Sequence, residues 1–153
     1  MIRLHRDRAQ NYYYLFSHEN GIAFRWGRDN EEIFWREEGP ELLDISITNY
    51  CERGCEFCYR RANKNGHFME FPLYGEIIQQ AEKAGVQQIA LGGGNPNQHP
   101  EFGNFLKKAR EHHIMASYTT NGQGMTEEIY QLTKQYGGAV AVSWYSPYDD
   151  RER

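Results

Sequence analysis

Cysteine is scarce in this sequence of 153 residues: Cys51, Cys55 and Cys58 are the only three. A disulfide needs a pair and a structural zinc site normally needs four protein ligands. The count therefore fits neither a secreted disulfide framework nor a zinc site made of cysteine alone. Long apolar runs are missing too, and nothing approaches the roughly 20 residues that span a bilayer. The basic opening, Met1-Ile2-Arg3-Leu4-His5-Arg6-Asp7-Arg8, has no apolar stretch behind it and does not read as a secretory signal. Positive charge is not in excess: 17 Lys and Arg against 21 Asp and Glu give a formal net charge of −4. Net charge thus gives no argument for a nucleic-acid partner or an anionic membrane. Repeats and low-complexity tracts are missing as well. With 39% hydrophobic residues, the expectation is one globular domain with reduced thiols, at home in the cytoplasm.

What is present divides at Gly39-Pro40. Residues 1–39 read as a small β element. Tyr12-Tyr13-Tyr14-Leu15-Phe16 and Ile22-Ala23-Phe24-Arg25-Trp26 are rich in aromatic and β-branched residues, and Asn20-Gly21 between them is a hairpin turn signal. Ile33-Phe34-Trp35 offers a third strand. The bland expectation is an aromatic face laid on the main domain, plugging one end; the functional one is a sheet edge offered to a peptide.

From residue 40 to 153 strands and helices alternate. The pattern predicts strands at Leu42 to Thr48, Val86 to Leu91, Ile114 to Thr119 and Ala139 to Ser143. Between them lie helices at about Pro72 to Ala84, Glu101 to His112 and Thr126 to Tyr136. Pro72 suits a first helical turn and Gly85 a left-handed cap. Thr126 suits an N-cap, with Glu127 and Glu128 at the positive end of the dipole. Such alternation means parallel strands joined by right-handed crossovers. The fold class is α/β, a partial (β/α) barrel of about four strands and three helices preceded by an N-terminal β-hairpin.

In parallel α/β architectures ligands bind at the carboxyl ends of the strands. Each unusual feature of the sequence falls at such an end. The cysteine loop follows the first strand, Gly92-Gly93-Gly94-Asn95-Pro96 the second and Thr120-Asn121-Gly122 the third, and Ser143 tips the fourth. The loop Tyr50-Cys51-Glu52-Arg53-Gly54-Cys55-Glu56-Phe57-Cys58-Tyr59 spaces its thiols C-x3-C-x2-C. Three thiolates on one tight loop, turned at Gly54, can hold three irons of a 4Fe–4S cube and leave the fourth iron without a protein thiolate. Three incidental reduced cysteines, or a zinc site completed by His67 or a carboxylate, are the alternatives. The glycine run is either a loose turn or a backbone that a ligand approaches closely. Asn121-Gly122 is by itself a turn, and His112 and His113 suit the negative end of a helix.

At these residues the sequence resembles the radical S-adenosylmethionine enzymes, from about Leu42 to Ser143. The resemblance rests on the three-cysteine loop with Phe57 just before Cys58, on Gly93-Gly94-Asn95-Pro96 in place of the commoner Gly-Gly-Glu-Pro, and on His99-Pro100-Glu101-Phe102 after it. It implies Cys51, Cys55 and Cys58 as ligands of a 4Fe–4S cluster. S-adenosylmethionine would chelate the open iron through its amino and carboxylate groups, with Phe57 against the adenine. Gly93, Gly94 and Asn95 would lie beside the methionine amino group. Asn95 lacks the charge of the usual glutamate, so the resemblance implies that Asn95→Glu tightens binding. Thr120, Asn121 and Ser143 are further cofactor candidates.

The implied activity is reductive cleavage of S-adenosylmethionine by an external one-electron donor. It yields a 5′-deoxyadenosyl radical that abstracts hydrogen from an unknown substrate, by preference a peptide or protein. No cysteine remains for a second cluster. The family's core has six strand–helix units, against three and one further strand here. The expectation is a fragment of a longer protein, or a dimer or partner chain completing the barrel. A non-catalytic iron–sulfur or zinc-binding module is the alternative.

Overall fold

Residues 2–7, 11–27 and 39–144 are described by the computed structural model. The first two segments form strands β1 (Ile2–Asp7), β2 (Tyr12–Ser17) and β3 (Ala23–Gly27), paired antiparallel in that order. The expected hairpin is thus β2 and β3, and β1 adds a strand on the other side of β2. Ile33-Phe34-Trp35 lies outside the described residues. The hairpin loop is longer than a two-residue turn: Gly21 N–H donates to the Ser17 carbonyl and Ser17 N–H to that of Ile22. Gly21 takes the left-handed conformation (φ +74°), while Asn20 uses its side chain to accept the Ile22 N–H.

From residue 42 the elements run β4 (Leu42–Thr48), α1 (Phe71–Lys83), β5 (Gln88–Gly93), α2 (Phe102–Glu111), β6 (Met115–Thr120), α3 (Glu127–Tyr136) and β7 (Gly137–Val142). The four strands are parallel and each lies beside its sequence neighbour, in the order β4-β5-β6-β7. The caps are as expected: Gly85 is left-handed after α1, and the Thr126 hydroxyl accepts the Ile129 N–H at the start of α3. α3 ends at Tyr136 and β7 begins directly at Gly137, so Gly137 and Gly138 are the strand's first two residues.

Alternation along the strands gives the sheet two unlike faces. Ile45, Ile47, Ile89, Leu91, Ala116 and Tyr118 turn toward the helices and pack with Tyr74, Ile78, Phe102, Phe105 and Leu106 in one buried core. Phe105 is its centre, ringed by Phe71, Tyr74 and His99 at 4.4–5.5 Å between centroids. The opposite face carries small or polar residues, Asp44, Ser46, Ala90, Gly92, Ser117 and Thr119, which leave room above the sheet. β7 continues the helix-side face with Val140 and Val142, in register with Tyr118 and Thr120, and both valines are exposed.

The N-terminal sheet sits under the amino ends of the parallel strands. Tyr12, Tyr14 and Phe16 bury against Met115, the first residue of β6. Tyr12 Oη donates to Glu41 just before β4, and Gln88 at the start of β5 donates to Tyr14 Oη. Arg110 on α2 donates to the carbonyls of His18, Tyr136 and Gly137 and so ties this sheet to the start of β7. The far ends of β4–β7, where every sequence-predicted ligand lies, are at the opposite end of the sheet.

Candidate metal and cofactor site

The cysteine loop leaves β4 and is fastened to its surroundings by backbone and side chain. Cys51 N–H donates to Asn63 O, Cys58 N–H to Cys55 O and Arg61 N–H to Cys58 O, at 2.9–3.1 Å. Gly54 takes φ +56°, the left-handed turn expected of it. Glu52 and Gln98 form a reciprocal pair: Glu52 N–H donates to Gln98 Oε1 at 3.2 Å and Gln98 Nε2 to Glu52 Oε2 at 3.0 Å. Arg60 reaches back to Ser46 Oγ at 2.8 Å. All three thiols are free and half-buried.

Cys51, Cys55 and Cys58 line one cavity of about 390 Å³ above the sheet, within the roughly 300–1,000 Å³ of small-molecule sites. Phe57, Gly92, Gly93, Gly94, Thr119, Thr120, Asn121 and Ser143 share its wall, with Asp44 and Ala90 at its floor. Phe57 is 62% exposed, a flat apolar face turned outward at the rim. Gly92 meets nothing where a Cβ would stand, so its missing side chain leaves open space. Ser143, just past β7, is held by its N–H on the Thr120 carbonyl at 2.8 Å. Among the described residues, no three His, Cys, Asp or Glu side chains converge on a single ion position. His67, the rival zinc ligand, lines a different depression with Ser46 and Leu73.

Gly93 and Gly94 have a further reason to be glycine. A Cβ on Gly93 would overlap the Thr48 carbonyl, and one on Gly94 would overlap that of Tyr50. The end of β5 therefore runs against the backbone that leads into Cys51. Gly94 N–H donates to Thr48 O at 2.6 Å and Asn95 N–H to Tyr50 O at 2.9 Å.

Asn95 is placed differently from the expectation. Its side chain is 1% exposed and does not line the cavity. Nδ2 donates to the Gln123 carbonyl at 2.9 Å, while Oδ1 accepts from Thr120 Oγ1 at 2.9 Å and Asn121 N–H at 3.1 Å. Asn97 adds a second amide, donating to Gln123 O at 2.8 Å and setting its Oδ1 2.5 Å from the same Thr120 hydroxyl, whose one proton the two amide oxygens share. The side chain that was expected to face a bound amino group instead braces the loop after β5 against the loop after β6. Its backbone neighbours Gly93 and Gly94 remain on the cavity wall.

His99, which the sequence offers only as part of a motif, is a fixed and buried side chain. Its Nε2 donates to Met69 O and its Nδ1 accepts the Glu101 N–H, both at 3.0 Å, which fixes a neutral tautomer between the start of α1 and the start of α2. Burial holds its pKa below the ordinary imidazole value. His112 instead pairs with Glu82 on α1 at 2.7 Å, remote from the cavity.

A family model described as the Radical SAM superfamily matches residues 45–153. The chain is 28% identical over 101 residues to the tungsten-containing aldehyde ferredoxin oxidoreductase cofactor-modifying protein of Pyrococcus furiosus, covering 63% of this chain and 28% of that protein. It is 27% identical over 93 residues to the mycofactocin maturase MftC of Mycobacterium tuberculosis, covering 60% of this chain and 24% of that one. Streptococcus suis SuiB bound to S-adenosylmethionine has a similar fold, with a TM-score of 0.66 at 17% identity over 92% of this chain and 46% of that chain. The chain thus spans about a quarter of the curated relatives and just under half of the solved chain.

Proposed function

The chain belongs to the Radical SAM superfamily, and from that membership we propose that Cys51, Cys55 and Cys58 hold a 4Fe–4S cluster beside a bound S-adenosylmethionine. One observation carries the reading: three free thiols line the same cavity as Gly92, Asn121 and Ser143, at the carboxyl ends of four parallel strands. When bound, the cluster and S-adenosylmethionine supply one-electron reductive cleavage and hydrogen abstraction from a substrate.

The chain's own residues bind, orient and enclose. These 153 residues supply three thiolates, one to each of three irons, which leaves the fourth iron of the cube open to a further ligand. Phe57 offers its exposed ring to an aromatic base at the rim. Gly92 leaves open space on the wall where a ligand can lie without meeting a Cβ, and Gly93 and Gly94 seat that wall against the backbone before Cys51. Ser143 supplies a hydroxyl on the far side of the cavity from the cysteine loop's strand. The small floor residue Ala90 sets the depth to which a ligand descends.

The electron comes from an external low-potential donor, and a reducing compartment such as the cytoplasm suits three free thiols. No described helix is long and apolar enough to cross a membrane. We assign the substrate to the peptide or protein class. This is supported by the relative that is a maturase, and by a fold neighbour solved with a precursor peptide.

Anaerobic reconstitution with iron and sulfide tests the reading. It should give about four irons and four sulfides per chain, and alanine at any of the three cysteines should abolish assembly. One tightly held zinc with no iron–sulfur absorbance would overturn it.

A further inference from the structure

Among the cavity residues, Asn121 has the most constrained side chain. Its Nδ2 stands 3.6 Å from Cys51 Sγ, within range of a sulfur acceptor. The amide cannot be turned the other way. Oδ1 already accepts the Gln123 N–H at 2.9 Å, so the NH₂ faces the sulfur, with Gln123 Oε1 at 3.5 Å as its second acceptor.

The turn that carries Asn121 is gripped from both sides. Before it, Asn95 Oδ1 accepts from Thr120 Oγ1 and from Asn121 N–H. After it, the Gln123 carbonyl accepts Nδ2 of both Asn95 and Asn97. Within it, Gly122 N–H donates to Thr120 Oγ1 at 3.0 Å. Asn95, Asn97 and Thr120 are each at most 2% exposed. A buried amide cluster on the β5 loop therefore aims one N–H donor from the β6 loop at one of the cysteines.

We propose that Asn121 is a positioning residue for the metal centre: its N–H···S hydrogen bond to Cys51 favours the reduced cluster, and Asn95 and Asn97 hold it in place. The proposal rests on the reading of the three cysteines as cluster ligands. Reduction adds negative charge that spreads onto the thiolate sulfurs. A donor on one of them stabilises the reduced state more than the oxidised one and raises the reduction potential. Asn121 then acts through Cys51 and not through contact with S-adenosylmethionine.

The test is a potentiometric titration of the reconstituted 153-residue chain, followed by paramagnetic resonance without and then with S-adenosylmethionine, for wild type, Asn121→Asp and Asn121→Ala. Asn121→Asp keeps the oxygen that accepts the Gln123 N–H and replaces the donor with an anion. It should disfavour reduction about ten-fold, a midpoint lower by about 59 mV for a one-electron couple. Asn121→Ala should shift the same way by less, and it decides the matter if the aspartate variant takes up no cluster. Equal potentials in wild type and a cluster-loaded variant would overturn this proposal and leave the cysteine assignment standing. A shift seen only when S-adenosylmethionine is present would overturn it by making Asn121 a cofactor ligand. Failure of the wild type to take up a cluster would remove the cysteine assignment and this proposal with it.

Discussion

Asn95→Glu separates a bracing side chain from a ligand-facing one, because the two roles predict opposite results. The resemblance to other family members suggests that a glutamate at residue 95 would strengthen a contact with an ammonium group. The structure points the other way. At 1% exposure, Asn95 has room for neither another methylene nor a charge. Overpacking by one methylene costs about 1–3 kcal/mol. The carboxylate keeps an acceptor for Thr120 and Asn121 but faces the Gln123 carbonyl with no N–H to offer, and burying it costs a further few kcal/mol. The sum is about 4 kcal/mol. For a chain of this size that lowers the melting temperature by about 8–16 °C. Thermal unfolding of the metal-free chain by circular dichroism measures it, with Asn95→Ala as a milder member of the series at about 2–3 kcal/mol. An Asn95→Glu chain that melts with the wild type, and binds S-adenosylmethionine more tightly once reconstituted, would refute the bracing role.

Three further outcomes are expected. Gly94→Ala drives a Cβ into the Tyr50 carbonyl next to Cys51; it should cost about 2–3 kcal/mol and lower the iron bound per chain, read by unfolding and iron assay. Stability should fall on acidification through two histidines. Burial, aided by the charge of Arg3, lowers His18 to about 4, and burial lowers His99 as well. The unfolded chain takes up these protons near pH 6.5 and the folded chain does not, so their contribution is complete above about pH 6.5 and is lost toward pH 4. Urea midpoints at pH 7.5, 6 and 5 should decline in that order, and flat midpoints would contradict it. The 153-residue chain should self-associate through the β7 edge, where Val140 and Val142 are exposed; lysine at both positions should shift it toward monomer in sedimentation velocity.

The β4–β7 framework was legible in the sequence to within one or two residues, because period-two and period-3.6 patterns alternate between clear caps such as Gly85 and Thr126. β1 was missed because Arg3, His5 and Arg6 hide the alternation of Ile2 and Leu4. The meeting of the three cysteines on one cavity was legible from their C-x3-C-x2-C spacing on one loop. The amide cluster was not, since Asn95 and Asn97 meet Thr120 and Gln123 across 23–28 residues of sequence, and each reads locally as a turn residue. The glycine run lines the cavity, but for two different reasons: Gly92 leaves open space, whereas Gly93 and Gly94 are fixed by the backbones of Thr48 and Tyr50. The direction of the Asn95 side chain was not legible, because its sequence neighbours do not show which way the amide turns.

The most direct test of the central claim is the paramagnetic resonance spectrum of the reduced, fully loaded chain with and without saturating S-adenosylmethionine. A cluster held by Cys51, Cys55 and Cys58 alone has an iron open to that ligand, and the account predicts a changed spectrum. An unchanged spectrum at full cluster occupancy would contradict it.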